Sequence, residues 1–151
     1  MSNTGFTVQE IKNIYEAIKL PKRATRGSAG YDFFAPTSFI LEAGSTAKIP
    51  TGIRVMLDTD KFLAVYPRSG LGFKYRFQLD NTVGIIDNDY YYSDNEGHIF
   101  IKVTNDSKDN KDVCVKEGEA FAQGIITQFF TTYDDETEGI RNGGFGSTSV
   151  I

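Results

Sequence analysis

The sequence predicts an all-β protein built as a jelly-roll-like sandwich or barrel, and three observations carry that expectation. Beyond Pro21, short apolar runs are punctuated by Gly, Pro, Asn and Asp. The bulky residues are 12 Phe and 8 Tyr with no Trp, types that suit half-buried pleated surfaces better than long helices. Over residues 98–103, Ile99, Ile101 and Val103 alternate with His98, Phe100 and Lys102, the two-residue period of a strand with one buried face.

In chain order, Val8, Ile11, Ile14, Tyr15 and Ile18 come first, at a spacing that fits a short helix or an irregular packed segment. Strands are then expected at residues 38–41, 46–49, 53–57, 62–66, 99–103, 113–116 and 125–130, with turns at 42–45, 50–52 and 117–119. Cys114 sits between Val113 and Val115, which point the other way on a strand. As the only cysteine it forms no intramolecular disulfide, and with His98 the sole base to serve it, it reads as packing rather than as a nucleophile. Residues 133–138 are acidic and residues 139–151 are glycine-rich without a strand pattern, so a β domain over 1–138 and a flexible C-terminal arm over 139–151 are expected. Arg141, Phe145, Ser147 and Thr148 give that arm a cation, an aromatic face and two hydroxyls, which favours a lid over a frayed end.

A chain of 151 residues with 40% hydrophobic content is sized for one compact domain. The 16 basic residues are dispersed among 20 acidic ones, for a formal charge of -4. Nucleic acid is therefore not an expected partner, because backbone binding needs concentrated Lys and Arg. A phosphorylated small molecule needs only a few local cations. The start, MSNTGFTVQE, lacks the pattern of a signal peptide, and no apolar run approaches membrane-spanning length. A soluble cytoplasmic protein with no membrane partner is the expectation.

Two stretches have the residue types for chemistry. In YPRSGLG, residues 66–72, a strand is expected to run into a turn whose amides, Ser69 hydroxyl and Arg68 guanidinium suit phosphate oxygens. On this stretch alone a surface turn with a solvated Arg reads equally well. In QLDNTVGIIDNDYYY, residues 78–92, the apolar run ends at Asp87, placed to orient water as a general base. Read alone, Asp87-Asn88-Asp89 fits a plain turn better. Gly84 inside that run marks a bulge or the close approach of another molecule. The commoner phosphate loops are absent, as are Cys and His in number enough for a metal site. A magnesium ion carried by a substrate's own phosphates is compatible, since magnesium keeps waters and needs few protein ligands.

Taken in order, AGYD at 29–32, PRSG at 67–70, NTVGIIDNDY at 81–90, GEAFAQ at 118–123 and RNGGFGST at 141–148 resemble the five motifs of the trimeric dUTP pyrophosphatases, the dUTPases. Each motif is weak by itself; five in the right order along nearly the whole chain are specific. The resemblance implies a jelly-roll-like β-clip domain and a homotrimer that hydrolyses dUTP to dUMP and pyrophosphate with Mg2+. Such an activity limits uracil incorporation into DNA and supplies dUMP for dTMP synthesis. It further implies active sites between subunits, with the arm of one chain closing over a site built by the other two.

Residue by residue, the resemblance makes Asp87 the base that directs water at the α-phosphorus, and Asp32 the carboxylate that holds magnesium through a coordinated water. Arg68, Ser69 and Gly70 resemble the phosphate-contacting turn, with Gln123 a further polar contact. Arg141, Ser147 and Thr148 of the arm would engage the terminal phosphate, and Phe145, followed by Gly146, would stack on uracil. Asn81, Gly84, Ile85 and Ile86 would read uracil from a hairpin, with Phe100 on its return strand. Tyr90 would crowd out a 2'-hydroxyl.

The chain departs from the family pattern at two places. Ala120 stands where many members carry Arg. After Tyr90, where the family often turns at once through Gly, residues 91–96 (YYSDNE) intervene before Gly97. That stretch reads as a contact for a neighbouring subunit or a protein partner, as a cover for the sugar, or as a neutral surface loop. Two other functions were weighed: a nucleotide-dependent regulatory module on the same fold, and a dCTP deaminase. The second needs an acid near the base, and no Glu occurs between Lys61 and Asn95.

Overall fold

A computed structural model describes residues 7–144, and Phe145, Gly146, Ser147 and Thr148 lie outside the described residues. Helix α1, Val8–Ala17, is started by a capping box: the Thr7 hydroxyl accepts from the Glu10 amide, and the Glu10 carboxylate accepts from the Thr7 amide at 2.8 Å. Val8 and Tyr15 on it are exposed, so this is a helix on the outside of the domain and not a packed segment.

Nine strands follow: β1 Tyr31–Phe34, β2 Phe39–Leu41, β3 Thr46–Pro50, β4 Lys61–Pro67, β5 Phe77–Leu79, β6 Gly84–Ile86, β7 Phe100–Asn105, β8 Val113–Val115 and β9 Ala120–Gln128. Helix α2, Ser69–Tyr75, and a 3-10 helix, Asn88–Tyr92, interrupt them. The strands form three antiparallel sheets, ordered β1-β9-β4-β6, β3-β7-β5 and β2-β8. None closes on itself, so the open sandwich is the architecture adopted. One core joins all three: Phe33, Leu63, Val65 and Phe121 from the first, Phe77, Leu79, Ile101 and Val103 from the second, Leu41, Val113 and Val115 from the third. Asn105 is a fully buried brace among them, donating to the carbonyls of Leu41 and Lys111 at 2.8 Å. No described helix is long and apolar enough to cross a membrane.

Several expectations change. Residues 53–57 alternate in burial as a strand would, and Ile53, Val55 and Leu57 pack on the core, yet the segment joins no sheet. Side-chain alternation satisfies the core without a ladder; among the described residues the backbone link is from the Ile99 amide to the Ile53 carbonyl, 2.9 Å. The turn expected at 50–52 is a kink at Gly52, φ 70°, because the Thr51 amide still bonds Ile99 and keeps the chain beside β7. The strand expected at 125–130 begins earlier and ends at Gln128. Cys114 faces outward while Val113 and Val115 are buried, so it is a surface thiol and not packing.

Candidate active site

A pocket of about 670 Å³ opens beside β6, a volume in the range of small-molecule sites. β6 is the edge strand of its sheet, paired on one side only, with Gly84, Ile85 and Ile86 opposite Val65, Ala64 and Leu63 of β4. An edge strand points half of its amides and carbonyls away from the sheet, and here that free edge lines the pocket. Asn81 and Val83 from the preceding turn, Phe100 and Lys102 from β7, Lys48 from β3, and Asp87, Tyr90 and Arg141 complete its walls.

The expected hairpin has a different form. β5 pairs with β7 and β6 with β4, so residues 80–83 bridge two sheets, with Thr82 at φ 69° and the Val83 amide bonded to the Asn81 carbonyl at 2.8 Å. Phe100 therefore stands on β7, opposite Pro50, and not on a return strand of β6; it reaches the pocket from the facing sheet. Gly84 is not bulged, and its backbone lines the pocket. It sits in regular register, and a Cβ there would stand 3.0 Å from the Cβ of Val65.

Asp87 caps the 3-10 helix with its side chain half exposed. Arg141 bonds it through one terminal nitrogen at 2.5 Å and Asp89 through Nε at 2.7 Å, and the guanidinium keeps only 13% of its exposure. Arg141 thus lies on its own chain's carboxylates, whereas the resemblance led to a phosphate contact in another subunit's site. Two carboxylates two residues apart at the start of a 3-10 helix make a bidentate seat for a guanidinium. Asn142 follows, its carbonyl accepting from the Asp94 amide at 2.8 Å, and Gly144 packs so closely on the Tyr90 ring that a Cβ would clash.

Tyr90 is 4% exposed, and its hydroxyl donates to the His98 carbonyl at 2.5 Å. His98 Nε2 accepts from the Gly52 amide at 2.9 Å, which requires a neutral ring, and burial lowers its pKa from the usual 6.5.

A second group lies at the other end of β4. Asp32 on β1 is buried and pairs with Arg68 at 2.5 Å; Gln123, opposite Asp32 on β9, donates to the Pro67 carbonyl at 3.1 Å. Gly30 leaves room for the Gln123 side chain. The segment expected as an open turn is the start of α2: Arg68 is its N-cap, Ser69 and Gly70 form its first turn, and the Gly72 amide bonds the Arg68 carbonyl. Arg68 and Ser69 line a separate shallow pocket of about 270 Å³ with Phe73, which is 94% exposed. Ala120 only begins β9, opposite Phe34.

The register measures how far apart the groups are. Ile86 is opposite Leu63, so Asp87 stands abreast of Phe62, and Arg68 is six residues farther along, ~20 Å at strand rise. One chain therefore does not bring Asp87 and Arg68 together. Sequence reasoning also missed Asp89, Lys48, Asp80 and Lys102. Asp89 was visible only as a turn residue. The others meet through pairing that no local pattern encodes: Lys48 opposes Lys102, and Asp80 offsets the two cations by binding Lys102 at 3.2 Å.

An open antiparallel sandwich with an edge-strand pocket ending in a carboxylate, and an arginine at a helix start, defines a small all-β protein with a small-molecule-sized pocket. A family model described as dUTPase matches residues 16–149. Deoxyuridine 5'-triphosphate nucleotidohydrolase of Lactococcus lactis is 38% identical over 154 residues, covering 99% of this chain and 100% of that relative. The crystal structure of dUTPase from Streptococcus mutans matches with a TM-score of 0.67 at 35% identity, covering 78% of this chain and 90% of that one. A dUTPase variant from phage phi11 of S. aureus, described with a coordinated structural Mg(II) ion, shares the fold at TM-score 0.67 and 22% identity, covering 82% and 92%. The chain belongs to the dUTPase family.

Proposed function

We propose that this chain hydrolyses dUTP to dUMP and pyrophosphate, and the observation that carries the reading is the free edge of β6 running directly into Asp87. Outward backbone groups of Gly84, Ile85 and Ile86 suit the donor and acceptor pattern of uracil, with the Asn81 side chain beside them. Rigid main chain between Val65 and Leu79 leaves little slack for a 5-methyl group. Tyr90 closes the wall where the sugar would lie. Asp87 then orients a water for in-line attack on the α-phosphorus and takes its proton. For that step Arg141 has to leave the carboxylate it holds in this structure, freeing the arm to bring Arg141, Phe145, Ser147 and Thr148 to the phosphates and base.

The ~20 Å between Asp87 and Arg68 supports an assembly in which one copy supplies the uracil pocket and another supplies Arg68, Ser69, Gly70 and Gln123; a homotrimer with three shared sites fits. Exposed Phe73 beside Arg68 suits burial between copies. For magnesium carried by the phosphates, Asp32 fits: one oxygen pairs with Arg68, and its side chain, 12% exposed, has the other to offer a coordinated water. When bound, the ion neutralises charge developing on the phosphate oxygens. No Glu lines the described pocket, which disfavours the deaminase reading.

The test is pyrophosphate release measured across dUTP, dTTP, dCTP and UTP with and without magnesium. Selective, magnesium-dependent turnover of dUTP is expected; equal turnover of dTTP would sink the assignment of the β6 edge.

A further inference from the structure

The stretch between Tyr90 and Gly97 is wired into the pocket. Asn95 Nδ2 donates to the Tyr90 hydroxyl at 2.9 Å, while that hydroxyl donates to the His98 carbonyl. The Ser93 hydroxyl donates to Asn95 Oδ1 at 2.7 Å and accepts from the Gly97 amide at 3.2 Å. Each donor in this chain of four bonds is used once, and each hydroxyl both gives and receives. The Asn95 amide is thereby fixed in orientation: reversed, it would take away the acceptor of the Ser93 proton and set its own oxygen against the Tyr90 hydroxyl oxygen, whose proton goes to His98. The turn that presents it is held by Glu96 at φ 60° and Gly97 at φ 70°, and a Cβ on Gly97 would stand 2.8 Å from Tyr91 Cα. Such linked bonds stiffen one another in a partly buried setting.

We infer that Asn95, supported by Ser93, is a positioning residue that holds the Tyr90 ring at the depth needed to exclude a 2'-hydroxyl, so that the 91–96 insertion tunes sugar selectivity. The inference rests on reading Tyr90 as the sugar wall. The Asn95 bond adds a second restraint on the phenol oxygen beside the His98 carbonyl, and so resists its displacement by an incoming ribose. The insertion is then part of the selectivity apparatus rather than a neutral loop.

The experiment measures kcat and KM for dUTP and UTP in the full-length wild type, Asn95→Ala, Asn95→Asp, Ser93→Ala, Tyr90→Phe, Tyr90→Leu and the Asn95→Ala/Tyr90→Phe double variant. Asn95→Ala should lower the dUTP to UTP ratio of kcat/KM about tenfold, the scale of one buried hydrogen bond, mainly through KM for UTP and with kcat for dUTP little changed. Asn95→Asp, which accepts from Tyr90 instead of donating, should match it, and Ser93→Ala should follow in the same direction. The double variant should be no worse than Tyr90→Phe alone, because loss of the hydroxyl already removes the Asn95 bond; a merely structural role for Asn95 would instead give additive losses. If Tyr90→Leu and Tyr90→Phe lower the ratio but the Asn95 and Ser93 variants keep it, the positioning role is wrong and the sugar wall stands. If Tyr90→Leu keeps the ratio, the sugar wall falls and the inference goes with it.

Discussion

The two ends of β4 carry the two halves of the site, and they are built on opposite plans. At the Leu63 end, pocket, carboxylate and aromatic wall are assembled within one chain, from an edge strand, a 3-10 helix and a buried phenol bonded at both sides. At the Pro67 end there is one ion pair, a helix start and a shallow hollow ringed by exposed Phe73. Under the proposed function, base recognition, which tolerates little movement, falls to backbone held in a sheet, and the charge-dominated phosphate contacts fall to a surface where a second copy could meet them. Selectivity would then belong to one chain and charge neutralisation would need another.

The largest expected effect lies in the self-contained half. Asp87→Asn should lower turnover about 10²–10⁴-fold, the range for a general base, while dUTP binding by calorimetry stays close to wild type. Unchanged turnover would move the chemistry away from the β6 pocket. Next, Arg68→Ala should cost about 10²–10³-fold, as loss of a charge-stabilising donor does. The comparison itself is broken or sharpened by mixing: Asp87→Asn and Arg68→Ala chains, unfolded and refolded together, should recover activity that neither has alone. No recovery in mixed assemblies would mean that each chain carries a whole site and that the register distance misleads. Removing residues 139–151 should leave fold and assembly intact by circular dichroism and gel filtration. Turnover should fall about 10²-fold through lost positioning, since Arg141 leaves with the arm.

The sequence was most informative where chemistry is local. Alternation marked β7 and β8 almost to the residue, and the spacing from Val8 to Ile18 allowed for the helix that α1 forms. It misled where the same signal has two causes. Residues 53–57 alternate because alternate side chains touch the core, yet the ladder bonds that define a strand come from partners elsewhere in the chain. The glycines of YPRSGLG suggested an open turn, but α2 ends on Arg76 in the left-handed region, φ 51°, and its Leu71 and Tyr75 pack against the core, a contact set by the tertiary fold. Asp87, Tyr90 and the β6 edge were legible as a contiguous motif. The Arg141 seat on Asp89 and the Asn95 bond to Tyr90 were not, because each joins residues whose facing is set by tertiary packing.

The smallest expected effect concerns pH, and it probes the preassembled half from behind. The neutral His98 ring accepts the Gly52 amide, and the His98 carbonyl anchors Tyr90. Burial lowers the pKa of this ring below 6.5 in the folded state, so just below pH 6.5 the unfolded chain binds the more protons. The stabilisation is fully present above the unfolded value and is lost as pH falls through the folded one. Partial exposure and the Phe100 ring 4.3 Å away soften the penalty, since an imidazolium is attracted to an aromatic face. His98→Gln retains an acceptor without titrating. Thermal unfolding followed from pH 7.5 to 5 should therefore show the wild type losing more stability than His98→Gln. Parallel slopes would uncouple the ring from the wall that holds Tyr90.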